Sequence, residues 1–247
     1  MLNMVAAPIA RSSATLSAQA YHAIRRAILR REIAPGEKLN VRQLSERLSL
    51  SGTPIKEALL ALSQEGLVTS LPRRGYFVPA LDSAEQRELY LLRSVIEGLG
   101  ARLAAQELAS DLETRLGHLL TQLERAAETE DIEQYGQLDF ELHQAIWEAS
   151  QSPRLIKLAE TLSGQIRLLM SRSNTLQGRL PSSLAEHRRI VTAIVSRDEG
   201  EAEREMRAHL EQAAQLMNRE ADPPSPAEPQ RSPSRPTEPK PSPPRRL

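Results

Sequence analysis

Along most of the chain, apolar residues recur at helical spacing, and a few sharp interruptions divide them into segments. Ala20, Ile24, Ile28 and Leu29 share one helical face, and the Pro35-Gly36 pair beyond them marks a turn. Val41, Leu44 and Leu48 predict a short second helix. After "SLSGTP", Ile55, Leu59, Leu62 and Leu67 predict a third. "LVTSLPRRGYFVPA" then offers two short β-prone runs around Arg73-Arg74-Gly75, the pattern of a hairpin with a basic tip. From "VPALDSAEQ" onward the period is helical, predicting helices at about 86–108, 111–128, 131–150, 153–173, 182–196 and 199–219. Connections such as "SQSP" and "SRDEG" are short enough to favour antiparallel packing in a bundle, and "TLQGRLPSS" is the longest break.

The expected fold is therefore mainly α: an N-terminal winged helix-turn-helix over residues 15–80, then an all-α antiparallel bundle over 81–221. Residues 1–14 read as a disordered lead-in with neither a basic n-region nor a long apolar run. Residues 222–247 hold 10 of the 17 prolines and almost nothing apolar, so they read as a disordered, extended tail. Aromatics make up only 3% of the 247 residues, whereas Leu, Ala, Glu, Arg and Gln dominate, a helix-forming usage. With no cysteine, disulfides and thiolate metal sites are excluded, and the cytoplasm is the expected compartment.

Charge changes the picture once it is divided. The net charge is zero, yet residues 15–80 carry 10 Lys/Arg against 5 Asp/Glu and residues 81–221 carry 16 against 24. A basic small module is joined to an acidic larger one, which restores a polyanionic partner as an option.

Two helices joined by a tight turn, with Ser51 or Thr53 as cap and Pro54 in the first turn of the second, form a helix-turn-helix. In that geometry the second helix enters the major groove of double-stranded DNA by its N-terminal residues, here Ser51, Gly52, Thr53 and Lys56. Gly52 allows close approach of backbone to phosphate, and the unpaired N–H groups of the helix end favour phosphate oxygens. Arg42 opens the supporting helix nearby. Arg73, Arg74 and Gly75 at the hairpin tip place cations where a wing meets the adjacent minor groove.

These residues also carry a resemblance. "YHAIRRAILRREIAPGEKLNVRQLSERLSLSGTPIKEALLALSQEGLVTSLPRRGYFV" resembles the winged helix-turn-helix of the GntR family of bacterial transcription regulators over about Leu16 to Pro79. The resemblance implies that Arg42, Ser51, Thr53 and Lys56, with Gly75 in the wing, contact operator DNA. Gly52 stands where the family frequently has arginine and Lys56 where arginine is usual. A lysine offers a point charge in place of a bidentate fork.

In the acidic module, Asp139 and His143 are four residues apart in "YGQLDFELHQAIWEAS" and share a helical face with Tyr135, Leu142 and Ile146. His187 and His209 are equally distant from the turn at Asp198, so an antiparallel hairpin sets them at similar height on apolar faces. Spacing alone leaves two readings open: core residues that satisfy one another, or a divalent-cation site between helices. His22 and His118 lie in charge-rich helices and read as solvated.

"LYLLRSVIEGLGARLAA", "LDFELHQAIWEAS" and "EHRRIVTAIVSRDEGEAEREMRAHL" resemble the FCD ligand-binding domain of the FadR subfamily of GntR regulators, over about residues 86–218. That resemblance implies a divalent metal (Zn, Ni or Mn) held by Asp139, His143, His187 and His209. It also implies a small organic acid as effector, with Arg93 and Arg167 as carboxylate clamps, and a homodimer that represses transcription. Two other readings stand beside it: a metal-dependent hydrolase using Glu186 or Glu141 as base, and a regulator whose metal is purely structural.

Overall fold

A computed structural model describes residues 15–109 and 111–221; the expected lead-in and tail lie outside the described residues. Helix α1 (Leu16–Leu29) begins where the Thr15 hydroxyl accepts from the Ala18 N–H and ends against left-handed Arg31. Strand β1 (Lys38–Leu39) leads to α2 (Val41–Leu48), whose first amides donate to the Asn40 side chain. Left-handed Ser49 closes α2, and α3 (Gly52–Gln64) starts three residues later. Strands β2 (Thr69–Leu71) and β3 (Gly75–Phe77) form the expected hairpin, its turn taken by left-handed Arg73 and Gly75. Sheet order is β1-β3-β2, all antiparallel. Strand β1 was not expected from the sequence, since two residues are too short to show a period of two. Ile24, Ile28, Leu44, Ile55, Leu59 and Leu62 fill the core of this head.

The larger module contains α4 (Ser83–Gln106), α5 (Leu112–Glu128), α6 (Ile132–Ala149), α7 (Pro153–Ser173), α8 (Arg179–Val195) and α9 (Glu199–Ala221). Helix α4 starts three residues before the expected position because Asp82 and Glu85 form a capping box. The expected long break near residue 180 shrinks to 174–178: Gly178 turns left-handed and α8 begins at Arg179, with Pro181 in its first turn. A proline there forfeits no helical hydrogen bond. Leu116, Leu123, Leu142, Ile146, Ile190 and Met206 make the principal core. Among the described residues no helix is long and apolar enough to cross a membrane.

Head and larger module meet at a close backbone approach. A Cβ on Gly164 of α7 would lie 2.0 Å from the Glu65 carbonyl oxygen and 2.5 Å from the Leu67 nitrogen, so only glycine fits. Leu168 packs on the core of the head one turn further on. Two opposed effects make Gly164→Ala informative. Helix propensity alone would raise stability by about 1 kcal/mol, whereas the two backbones must part to admit the methyl group. We expect a lower melting temperature and faster proteolytic cleavage in residues 78–82; a more stable, equally resistant variant would show that the approach does not persist in solution.

Candidate DNA reader and metal centre

In the head, Ser51 caps α3 without a side-chain hydrogen bond to the helix. Thr53 and Lys56 follow in the first turns, and all three are exposed, while Pro54 and Ile55 face the core. The first-turn N–H groups of α3 therefore end in solvent at the positive end of the helix dipole. Gly52 meets only the Val41 side chain, at 3.7 Å from a would-be Cβ. Arg42 is exposed but held by Glu46, Nε to Oε1 3.0 Å. Arg73 and Arg74 are exposed at the wing tip, Arg74 lying 5.8 Å from the centroid of Phe77.

In the larger module the four expected ligands come from three helices and converge. Helix α6 supplies Asp139 and His143, α8 supplies His187 and α9 supplies His209, all buried. The three histidines each present a ring nitrogen within 4.8 Å of the others. Asp139 Oδ1 lies 3.2 Å from His187 Nε2 and 3.6 Å from His143 Nε2.

Around these four, a second ring of polar groups fixes their orientation. Glu97 of α4 accepts from His143 Nδ1 at 2.5 Å and from Arg93 Nε at 2.6 Å. Glu186 accepts from His209 Nδ1 at 2.6 Å and from Arg179 at 2.8 and 3.0 Å. Asn174 Nδ2 donates to Asp139 Oδ2 at 3.0 Å. A histidine that donates through Nδ1 keeps the Nε2 lone pair for a ligand, the arrangement found around protein-bound metals. Here Asp139 Oδ1, His143 Nε2 and both nitrogens of His187 are buried without any hydrogen-bond partner. Three of these atoms, Asp139 Oδ1 and the two Nε2 nitrogens, lie together, which is costly unless something accepts their electron pairs. The donor set, three imidazoles and one carboxylate, suits a first-row divalent ion.

Electrostatics agree with neutral His187 and His209 and with anionic Asp139 and Glu97, whereas burial raises the Glu186 carboxyl. Burial pushes the His187 and His209 pKa values down, and the neighbouring histidines push His209 further, so both rings resist protonation. Burial alone would raise Glu97, but Arg93 and His143 hold it at about 2. Asp139 is likewise held below the usual carboxylate range, against the opposing effect of burial, by His187 and His143.

The two expected clamps separate. Arg93 is 2% exposed, paired with Glu97 in the interior beside Tyr90. Arg167 instead stacks on Phe140, 3.4 Å from the ring centroid, in a cavity between head and larger module. Arg179, which the sequence did not single out, is buried next to His209, with its Nε unpartnered. The signal that pointed toward it was slight, an arginine just after a glycine in the expected break. His22 and His118 are exposed, as expected; His118 Nε2 lies 2.8 Å from Gln122.

Comparison with known proteins places this architecture in a class. The pattern of the bacterial regulatory proteins of the gntR family matches residues 16–78, and that of the FCD domain matches residues 88–212. The chain belongs to the GntR family: it is a DNA-binding transcriptional regulator with an N-terminal helix-turn-helix and a C-terminal FCD domain. It is 28% identical over 199 residues to the HTH-type transcriptional repressor RspR of Escherichia coli K12, covering 81% of this chain and 87% of that one. An uncharacterized HTH-type transcriptional regulator in an unstable DNA locus of Streptomyces ambofaciens is 31% identical over 195 residues, 77% of this chain and 80% of the relative. The E. coli McbR/YncC structure shares the fold, with a TM-score of 0.71 at 21% identity over 85% of this chain and all of that one.

The hydrolase reading is thereby set aside, because the families and relatives are regulators. The geometry gives the physical reason. Glu186 is already engaged by Arg179 and His209, and Glu141 is bonded to Gln137 at 3.0 Å, so neither is a free base beside the histidines.

Proposed function

We propose that the chain is a homodimeric repressor of the FadR subfamily, cytoplasmic with its operator. In this reading Asp139, His143, His187 and His209 hold a divalent ion and the FCD domain responds to a small carboxylic acid. The observation that carries the proposal is the convergence of orphaned ligand atoms, Asp139 Oδ1, His143 Nε2 and His187 Nε2, backed by Glu97 and Glu186. When bound, the ion supplies a Lewis-acidic contact for a carboxylate.

The chain's own residues complete such a site. Arg179 and Arg93 bring guanidinium groups to the same interior, and arginine recognises carboxylates bidentately. The hydroxyls of Tyr90, Ser173 and Ser183 are buried there without partners, as is Arg179 Nε. Polar atoms left unpaired in the absence of a ligand are the pattern expected of a site that binds one.

Dimerisation is supported by α4. Leu91, Val95 and Leu99, spaced one turn apart, are 69%, 54% and 44% exposed, with Leu92 beside them at 45%. An apolar stripe on a 24-residue helix suits a self-complementary two-fold contact, and a two-fold protein reads a two-fold operator. The DNA-reading residues proposed are Arg42, Ser51, Gly52, Thr53 and Lys56, with Arg73, Arg74 and Gly75 in the wing.

A thermal-shift series with zinc-loaded protein tests the sensing half. At least one acid among acetate, lactate, succinate and larger carboxylates should raise the melting temperature, and Arg179→Ala should remove that rise. A panel in which no acid alters either melting or operator binding would leave the metal a structural role alone.

A further inference from the structure

A cavity of about 570 Å³ lies between the head and the FCD domain, a volume in the range of small-molecule sites. Its walls are α1 with the turn after it, the start of α6 and the end of α7. Five guanidinium groups line it, from Arg25, Arg26, Arg30, Arg31 and Arg167, against the single carboxylate of Glu133. Glu133 is already engaged, accepting from Arg30 Nε at 2.8 Å and lying 3.8 Å from Arg26 Nε. Among the described residues, Arg25, Arg31 and Arg167 make no ion pair. Arg167 is largely withdrawn from water over Phe140, and burial together with Arg25 pulls its pKa down to about 10. Glu65 and Glu141 offset Arg167 only from a distance, and crowding of cations in a partly closed space is unfavourable unless an anion joins them.

The charge to be met decides the class of anion. Three guanidinium groups outside any ion pair exceed what one carboxylate offsets, and a dicarboxylate, though it matches the charge, spreads its oxygens over two separated groups. A phosphate monoester carries about −1.5 to −2 charge at neutral pH and three strong acceptor oxygens, which match arginine forks. Ser171, Thr175 and Gln137, which now donate to Leu168, Arg172 and Glu141, add polar side chains able to turn toward an anion, while Leu29 and Ile132 offer an apolar wall to a short carbon skeleton. A DNA duplex is too broad to enter a space of this volume.

We propose that this joint cavity is a second ligand site, for a small phosphorylated metabolite, whose binding draws Arg26 and Arg30 away from Glu133. Glu133 lies on α6 less than two turns before Asp139, and cavity-lining Thr175 follows Asn174, which holds Asp139 Oδ2 at 3.0 Å. The ligand thus touches the head and residues that adjoin the supports of the metal centre.

Calorimetric titration of zinc-loaded full-length protein tests the site, with glycerol 3-phosphate, inorganic phosphate and succinate as separate probes. Glycerol 3-phosphate should bind saturably, and inorganic phosphate and succinate each at least about tenfold more weakly, the first lacking the carbon skeleton and the second the three clustered oxygens of a phosphate. Arg167→Ala should weaken binding at least about tenfold with zinc content unchanged. Exposed Arg31→Gln, which leaves the fold intact, should weaken it severalfold and serves if the first variant does not fold. Absence of saturable heat, variants that titrate like the parent, equal affinity for inorganic phosphate, or loss of binding on removing zinc would each overturn the proposal. The last result would place the phosphate on the metal.

Discussion

Replacing Lys56 and Arg42 together with alanine is expected to lower operator affinity by at least about 30-fold, since two side chains proposed to contact DNA, worth about 1–3 kcal/mol each, are removed. Both side chains are exposed, so the head keeps its core and the far-UV spectrum should not change. Lys56 stands in the second turn of α3, beyond the capping Ser51, where a side chain reaches a base edge or the adjoining phosphate. Arg42 is pre-positioned by Glu46. Neutralising a phosphate releases counterions, so the slope of log K against log salt should become shallower by about 0.9 for each phosphate no longer neutralised. Fluorescence anisotropy of a labelled duplex across a salt series reads both quantities. Unchanged affinity and slope would move the reading surface away from α3.

Chelation is expected to have the second large effect. An ion present at about 100 times its dissociation constant adds about 2.7 kcal/mol to the folded state, and roughly 2–4 °C accompanies each kcal/mol at this size. Removing it should thus lower the melting temperature of the FCD domain by roughly 5–10 °C. His187→Ala should behave like the chelated parent and show no further response to chelator. Were the histidines only packed core residues, His187→Ala would still destabilise by deleting a buried ring, but the parent would melt identically with and without chelator. The chelator response separates the two readings where the mutation alone does not.

Much of this was legible in one sequence, and the remainder has identifiable physical reasons. Apolar periodicity located the helices because each buries one continuous face. The capping box at Asp82 and Glu85 was present in the sequence as the start of α4, although periodicity alone placed it later. The meeting of His187 with His209 followed from their equal distance to Asp198, since an antiparallel hairpin fixes height: their rings are 4.7 Å apart. Partnerships between distant helices were not legible. Glu97 reaches His143 only because α4 crosses α6, and Arg179 reaches Glu186 only because α8 begins earlier than expected. For Arg167, the sequence could not tell which neighbour stood beside it; the neighbour is Phe140 and, beyond it, the joint with the head.

Asp139, His143, His187 and His209 are proposed to form one metal centre inside a DNA-binding regulator. Elemental analysis of protein dialysed against zinc and then desalted tests it most directly, with the parent beside His187→Ala. One tightly held ion per chain is expected in the parent and none in the variant. A parent that retains no metal, or a variant that retains as much as the parent, would contradict it.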